Sequence, residues 1–341
     1  MNTVYERIRD SLHQRGLYAT LNKGVNHLIY SFLYRECKKS FGEANKTKTI
    51  YVIRSVCENS KYYKGARLNL LANFSYVLSH MLYAQERGWI PVVDQLNYPV
   101  YNQESFPVHG SINPWEYYWQ QPGGCSLEEA YMSKNVVLSA RNWYEPGNLK
   151  YSVEAHMDRA TILRFHKLIN EIPLNKQTST YKHRCVQDIL CGHGRVLGVS
   201  MRSGGHSLES SYHALGHPIQ PTREELLYLI RDRMKTWKID AVFLTTEDQD
   251  NIDYFKNYLG ECLLYLPRER YYKWKPATKD NPDILHVPGK QYQTGLNYLM
   301  EMELLAECDA LIGSVTSGLR YAILRNGGRF KYLEVLDKGV F

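Results

Sequence analysis

Residues 195–205 read RVLGVSMRSGG, and their reading decides the fold. Val196, Leu197, Val199 and Met201 supply an apolar run long enough to cross a sheet. The run stops at Arg202, followed by Ser203, Gly204 and Gly205. A strand buried in a parallel sheet delivers its last residues to the carboxyl edge, where open α/β folds bind ligands. Glycines there let backbone amides approach an anion closely, and an arginine fork matches phosphate oxygens. The stretch reads either as a phosphate clamp or as an ordinary strand and turn with a surface arginine.

Two further strand ends resemble it. Residues 240–246 (DAVFLTT) form a strand that runs into Glu247 and Asp248. Residues 309–313 (DALIG) form another, and Ser314, Thr316 and Ser317 lead from it into a helix. If the sheet is parallel, the three ends point the same way. Free amides and the dipole at a helix start hold a phosphate, Arg202 neutralises a diphosphate, and a carboxylate accepts from ribose or base. Taken singly, Asp248, Thr316 and Ser317 are equally good helix caps. Asp248-Gln249-Asp250 also fits a D-x-D motif for Mg²⁺; since Arg202 can neutralise the diphosphate alone, the metal-free reading is preferred.

Working outward, the second half alternates strand and helix: a helix opens at Pro221–Thr222, others cover Glu247–Tyr258, Thr294–Glu307 and Gly318–Leu324, with short strands at Cys262–Leu266 and Lys331–Val335. The first half begins the same alternation. Thr49–Cys57 is a β-branched strand, Leu68–Arg87 a helix stopped by Gly88, and Ile90–Asp94 the next strand, a βαβ unit that implies a parallel sheet. Asn135–Ser139 is a further strand and His156–Ile169 a helix. Pro173–Tyr181 reads as a polar connection between two domains. Trp115–Trp119 reads as core packing or as a glycan surface. The fold class is α/β, with two Rossmann-like domains at 49–180 and 181–341 behind a basic helical segment at 1–48.

Composition agrees with a globular protein: 341 residues, 44% hydrophobic, 23% charged. The net charge of +7 is partly concentrated in residues 1–48, where nine Lys/Arg face four acids. That pattern suits an anionic substrate or peripheral contact with an anionic membrane. No nucleic-acid module is visible, so no nucleic-acid partner is expected. Seven scattered cysteines fit a reduced, cytoplasmic setting. Cys185, Cys191 and His193 cluster without a fourth ligand, so no metal is expected. Neither a signal peptide nor a membrane-spanning apolar run is seen.

The three blocks SMRSGG (200–205), VFLTTEDQD (242–250) and CDALIGSVTSG (308–318) resemble the fucosyltransferase superfamily that contains α1,6-, α1,2- and protein O-fucosyltransferases, nearest to bacterial members that decorate surface polysaccharides. Gly216–Thr222 (GHPIQPT), Leu70–Asp94 and Asn113–Tyr118 extend the resemblance over most of residues 49–341. It implies a GT-B-like fold with a cleft between domains, a GDP-fucose donor, a glycan acceptor, no cofactor or metal, and inversion at the anomeric carbon. By matching position Arg202 with Gly204 and Gly205 would bind the diphosphate, Glu247 and Asp248 the nucleoside, and Ser314, Thr316 and Ser317 the phosphates, with Asn73 near the ligand from the first domain. Glu209 is the first choice for general base, with His206 and His213 as competitors. Ser200 and Gly205 depart from the motif, which often has His and Asp there. These departures leave two alternatives: transfer from another nucleotide sugar, or a catalytically weak scaffold that binds nucleotide sugar or glycan.

Overall fold

A computed structural model describes residues 35–56, 68–100, 102–141, 158–203, 218–272 and 289–341. They form a mixed α/β structure with two sheets. The first contains β1 (Cys37–Lys39), β2 (Ile50–Arg54), β3 (Ile90–Asp94) and β4 (Val136–Leu138), ordered β1-β4-β2-β3. The second contains β5 (Val196–Ser200), β6 (Ala241–Thr245), β7 (Leu263–Leu264), β8 (Ala310–Ser314) and β9 (Tyr332–Leu336), ordered β7-β6-β5-β8-β9. Every pair in the second sheet is parallel. The first is parallel except where β1 joins β4. Strands β2, β5, β6 and β8 are buried at every position, as near-continuous apolar runs should be when helices cover both faces.

Seven helices of two turns or more are described: α1 (Leu70–Gln85), α2 (Arg159–Asn170), α3 (Lys176–Cys185), α4 (Arg223–Thr236), α5 (Gln249–Leu259), α6 (Gln291–Glu307) and α7 (Ser317–Asn326). Their starts follow from local chemistry. Asn69, Asp158, Asn175, Asp248 and Thr316 each accept a backbone N–H of the first turn, and Thr222 with Glu225 closes a capping box. Gly327, with φ of 72°, ends α7 in the left-handed region.

Two sequence expectations are corrected, and one open reading is decided. Pro173–Tyr181 is not a plain connection: α3 begins at Lys176 and continues through a π turn at Val186–Leu190. Its polar composition hides it, because within the helix only Thr178 and Cys185 are buried and the cap at Asn175 sets its start. The helical reading of residues 1–48 fails over its described part, where Cys37–Lys39 adds an antiparallel edge strand to β4; residues 1–34 lie outside the described residues. Trp115, Tyr117, Tyr118 and Trp119 are all at most 2% exposed, so the aromatic block is core and not a glycan surface.

Helix α6 joins the two sheets. Its inward residues Leu299, Met300, Leu304 and Leu305 belong to one apolar cluster with α1, α2 and the aromatic block. Glu303 is fully buried on the same helix. It receives Lys182 of α3 at 2.7 Å, Arg325 of α7 at 3.1 Å and the Tyr321 hydroxyl. Burial opposes its charge, but Arg325 and Lys182 outweigh burial and hold its pKa below the ordinary 4.5. A carboxyl group with a lowered folded pKa stabilises fully above its unfolded value and loses that contribution as pH falls through the folded value. Glu303→Ala leaves Arg325 without its carboxylate, while Lys182 keeps Glu307 at 2.7 Å, and is expected to cost about 3 kcal/mol in urea unfolding near neutral pH. The gap to the unaltered protein should narrow as pH drops below 4.5; a gap that stays constant to strongly acid pH would show that this network does not hold the helices together.

Candidate functional site

The register of the second sheet sets the site. Ser200 pairs with Thr245 on one side and with Gly313 on the other, so the carboxyl ends of β5, β6 and β8 lie side by side. From β5 the chain steps to β6 and β7 on one side, then returns to β8 on the other. That reversal is the point at which α/β sheets open a crevice. A narrow cleft lies there, lined by Ser200, Arg202, Thr246, Glu247, Tyr298 and Thr316 among others.

Arg202 stands two residues past β5. Its Nε donates to Glu247 Oε1 at 3.2 Å, and its side chain remains 31% exposed. Burial lowers the pKa of this guanidinium, but the Glu247 carboxylate, then Tyr298, more than offset the effect and leave it raised. Ser203 fixes the turn: its N–H reaches the second Glu247 oxygen at 3.4 Å, and Asn251 Nδ2 donates to its hydroxyl at 2.7 Å and to Thr246 Oγ1 at 3.3 Å. Glu247 therefore acts in the free protein as the partner that orients Arg202.

Asp248 and Thr316 both cap helices. Asp248 Oδ1 accepts the Asp250 N–H at 3.0 Å, and Thr316 Oγ1 accepts the Leu319 N–H at 3.1 Å. Ser317 instead reaches out of its sheet. Its hydroxyl donates at 3.1 Å to Asn69 Oδ1, the same oxygen that caps α1 through the Ala72 N–H at 2.8 Å. Both helices start at the carboxyl edge of their own sheet, so the two edges face each other and two positive helix ends converge. Ser314 is 1% exposed, and its hydroxyl finds no hydrogen-bond partner among the described residues.

Asn73 is buried one turn into α1 and donates to the Leu68 carbonyl at 2.8 Å. It is Asn69, one turn earlier, that meets Ser317. Gly204, Gly205, Glu209, His206 and His213 lie outside the described residues.

The sequence reading missed the wall behind the clamp. Arg268 binds the Glu301 carboxylate through Nε at 2.7 Å and Nη2 at 3.0 Å, and Nη2 also donates to the Thr246 carbonyl at 3.0 Å. Arg270 reaches the same carbonyl at 3.0 Å and the same carboxylate at 3.1 Å. Burial pulls the Arg270 pKa down, with Arg268 acting the same way against Glu301. Arg202, Arg268 and Arg270 thus share the two carboxylates Glu247 and Glu301, leaving one positive charge in excess in this group. Tyr298 closes the wall, and burial raises its pKa. Gly318 makes room for it: a Cβ there would lie 2.7 Å from the Tyr298 hydroxyl. The alternating charges Arg268-Glu269-Arg270 were the available signal, but nothing local ties them to Glu301.

Among the described residues no group of three or more His, Cys, Asp or Glu side chains is placed to hold a metal ion. Among the same residues no helix is long and apolar enough to cross a membrane.

No family model matches the chain, and no curated protein matches it. Among solved structures it is similar to the fucosyltransferase NodZ from Bradyrhizobium, at 15% identity over 81% of this chain and 92% of that one, with a TM-score of 0.45. It is similar to POFUT1 in complex with GDP-fucose, at 8% identity over 88% of this chain and 100% of that one, with a TM-score of 0.48. An Arabidopsis thaliana FUT1 variant in complex with GDP is similar at 11% identity over 99% of this chain and 80% of that one, with a TM-score of 0.44. These likenesses are distant, and they are to fucosyltransferases.

The cap at Thr316 gives a direct check on the geometry of the third strand end. Thr316→Ala is expected to lower stability by about 1 kcal/mol, and Thr316→Ser by no more than a few tenths, in thermal unfolding. Equal losses for both would show that the hydroxyl does not cap α7.

Proposed function

We propose that this chain is a glycosyltransferase that moves fucose from GDP-fucose to a glycan acceptor, with inversion and without a metal, in bacterial polysaccharide synthesis. The observation that carries the reading is Arg202, held at the carboxyl end of the central strand β5 and opposite the converging N-termini of α1 and α7. This arrangement suits a diphosphate, since one uncompensated positive charge and two helix ends meet in a partly dry cleft. The motif resemblance at 200–205, 242–250 and 308–318 supports guanosine diphosphate as the leaving group.

In this reading an acceptor hydroxyl attacks the anomeric carbon as GDP departs. Positive charge grows on the sugar ring and negative charge on the diphosphate. Arg202 and the start of α7 stabilise the departing diphosphate, and Ser314 offers it an unused hydroxyl. Glu247 and Asp248 face the nucleoside, and Gly204 and Gly205 bring backbone amides to the phosphates. Glu209, seven residues after Arg202 in the sequence, takes the acceptor proton. The first sheet forms the acceptor side and the second the donor side. The protein works in the cytoplasm, and its basic residues 1–48 favour contact with the inner membrane surface.

Calorimetric titration of GDP, UDP and GDP-fucose, each with and without EDTA, tests the donor. Selective binding of GDP that EDTA does not change is expected. Arg202→Ala should weaken it and slow transfer by about 100-fold or more. UDP preference or dependence on Mg²⁺ would overturn the donor assignment. Tight GDP binding with no turnover under any acceptor would leave the scaffold reading in its place.

A further inference from the structure

A second cavity stands at the carboxyl end of β3, an edge strand of the first sheet. Its volume is about 400 Å³, within the range of sites that take small molecules. Three stretches build it: the turn after β3 at Leu96 and Asn97, the loop from Gly110 to Asn113 with Glu116, and the short helix Leu127–Ala130 followed by Tyr131. His109, next to Gly110, bonds the Tyr292 hydroxyl at 2.8 Å, at the start of α6. The cavity therefore borders the seam between the two sheets, on the helix that carries Tyr298 into the Arg202 cleft.

Its polar groups are held in place. Glu116 accepts the Ser111 hydroxyl at 2.7 Å on one oxygen, and Gln121 at 2.7 Å and Asn113 at 3.2 Å on the other. Asp94 is buried and accepts the Tyr131 hydroxyl at 2.6 Å and Asn97 through N at 2.8 Å and Nδ2 at 3.0 Å. Every one of these donors is neutral. Glu301 and Glu303, buried elsewhere, each hold cations instead. No Lys or Arg is among the described residues that line the cavity. Glu128 lines it from an exposed position and makes no hydrogen bond or ion pair with a described residue. Between these groups the walls are apolar: Leu96, Leu127 and Ile112, the last 52% exposed.

Two carboxylates held only by neutral donors, with a third beside them, give this cavity a negative potential in a chain whose net charge is +7. A ligand with an acid group is disfavoured there. A carboxylate accepts and does not donate, so what it takes from a ligand is a hydroxyl or amide hydrogen. The apolar walls between the carboxylates take up C–H surface of the same ligand. Hydroxyls around the edge of a ring and C–H groups on its face are the chemistry of a sugar. The bonds from Gln121, Asn113 and Ser111 hold Glu116 in advance, so little freedom is lost when such a ring arrives.

We propose that this cavity binds an uncharged sugar ring, with Glu116 and Glu128 accepting from its hydroxyls and Ile112 and Leu127 packing on its C–H face. Calling that sugar the acceptor rests on the transferase reading; the sugar site does not.

The test uses the full chain and saturation-transfer NMR titrations, which read weak binding. The probes are the methyl glycosides of glucose, galactose, mannose and N-acetylglucosamine, with glucuronate as the acidic counterpart. At least one uncharged glycoside is expected to bind, and glucuronate is not. Glu128→Arg should weaken the bound glycoside by about fivefold, the loss of one hydrogen-bond acceptor. Ile112→Ala should weaken it by about threefold, and it serves in place of Glu128→Arg if that variant does not show the unaltered chain's unfolding transition. Binding of no uncharged glycoside, binding of glucuronate as tight as that of the glycosides, or unchanged affinity in the folded variant overturns the proposal. Failure of the unaltered chain to bind GDP would sink the transferase reading and leave this result standing.

Discussion

Parallel pairing of β5 with β6 on one side and β8 on the other is the constraint on which the rest depends. It forces three loops to emerge at one edge, whatever their sequences. The helices that cover these strands then seat at fixed depth. A Cβ on Gly198 would lie 2.9 Å from Leu305 of α6, and one on Gly313 would lie 2.8 Å from Leu319 of α7. Bare backbone at these two places lets both helices close on the sheet. Glu301 and Tyr298 are on α6, and Thr316 and Ser317 start α7, so the wall and one anion-binding end of the cleft come from that close approach.

Electrostatics at the cleft follow from who holds whom. Glu247 binds Arg202, and Glu301 binds Arg268 and Arg270. These pairs are not chiefly a source of stability: desolvation consumes most of what a buried pair gains. What they fix is direction. Arg268 and Arg270 both tie to the Thr246 carbonyl, and that residue's hydroxyl accepts from Asn251, which also donates to Ser203. The turn after β6 and the turn after β5 are thereby locked to one another. A clamp held in advance loses little freedom when an anion arrives, and its charge acts at full strength on a developing negative charge.

How much of this could be read from the sequence depends on the range of each interaction. The β-branched and apolar runs at 50–54, 196–200, 241–245 and 310–314 announced their strands, because burial on both faces leaves a local signature. Arg202, Glu247 and Thr316 could be placed just past the ends of those strands for the same reason. Helix α3 could not be, since its few buried side chains give no periodic stripe. The contact of Asn69 with Ser317, 248 residues away, has no local signature either. Arg268 and Glu301 were invisible as a pair, and Trp115–Trp119 gave no sign of which of its two readings held until its packing against Phe74 was seen.

The seam between the sheets is itself built as a core. Phe74 of α1 stacks with Trp115 and meets Tyr321 of α7 edge-on at 5.0 Å. Tyr118 donates to the Tyr292 carbonyl at 3.1 Å, and Glu104 accepts the Tyr292 N–H at 2.8 Å, so the first sheet's loops hold the start of α6. Glu303 gathers cations from α3 and α7 farther along the same helix. Interfaces between loosely coupled domains are small and polar, whereas this one is apolar, ring-packed and pinned at both ends of α6. Opening it would expose the stacked rings and the Glu303 network together. The distance between the carboxyl edges of the two sheets is therefore set by packing.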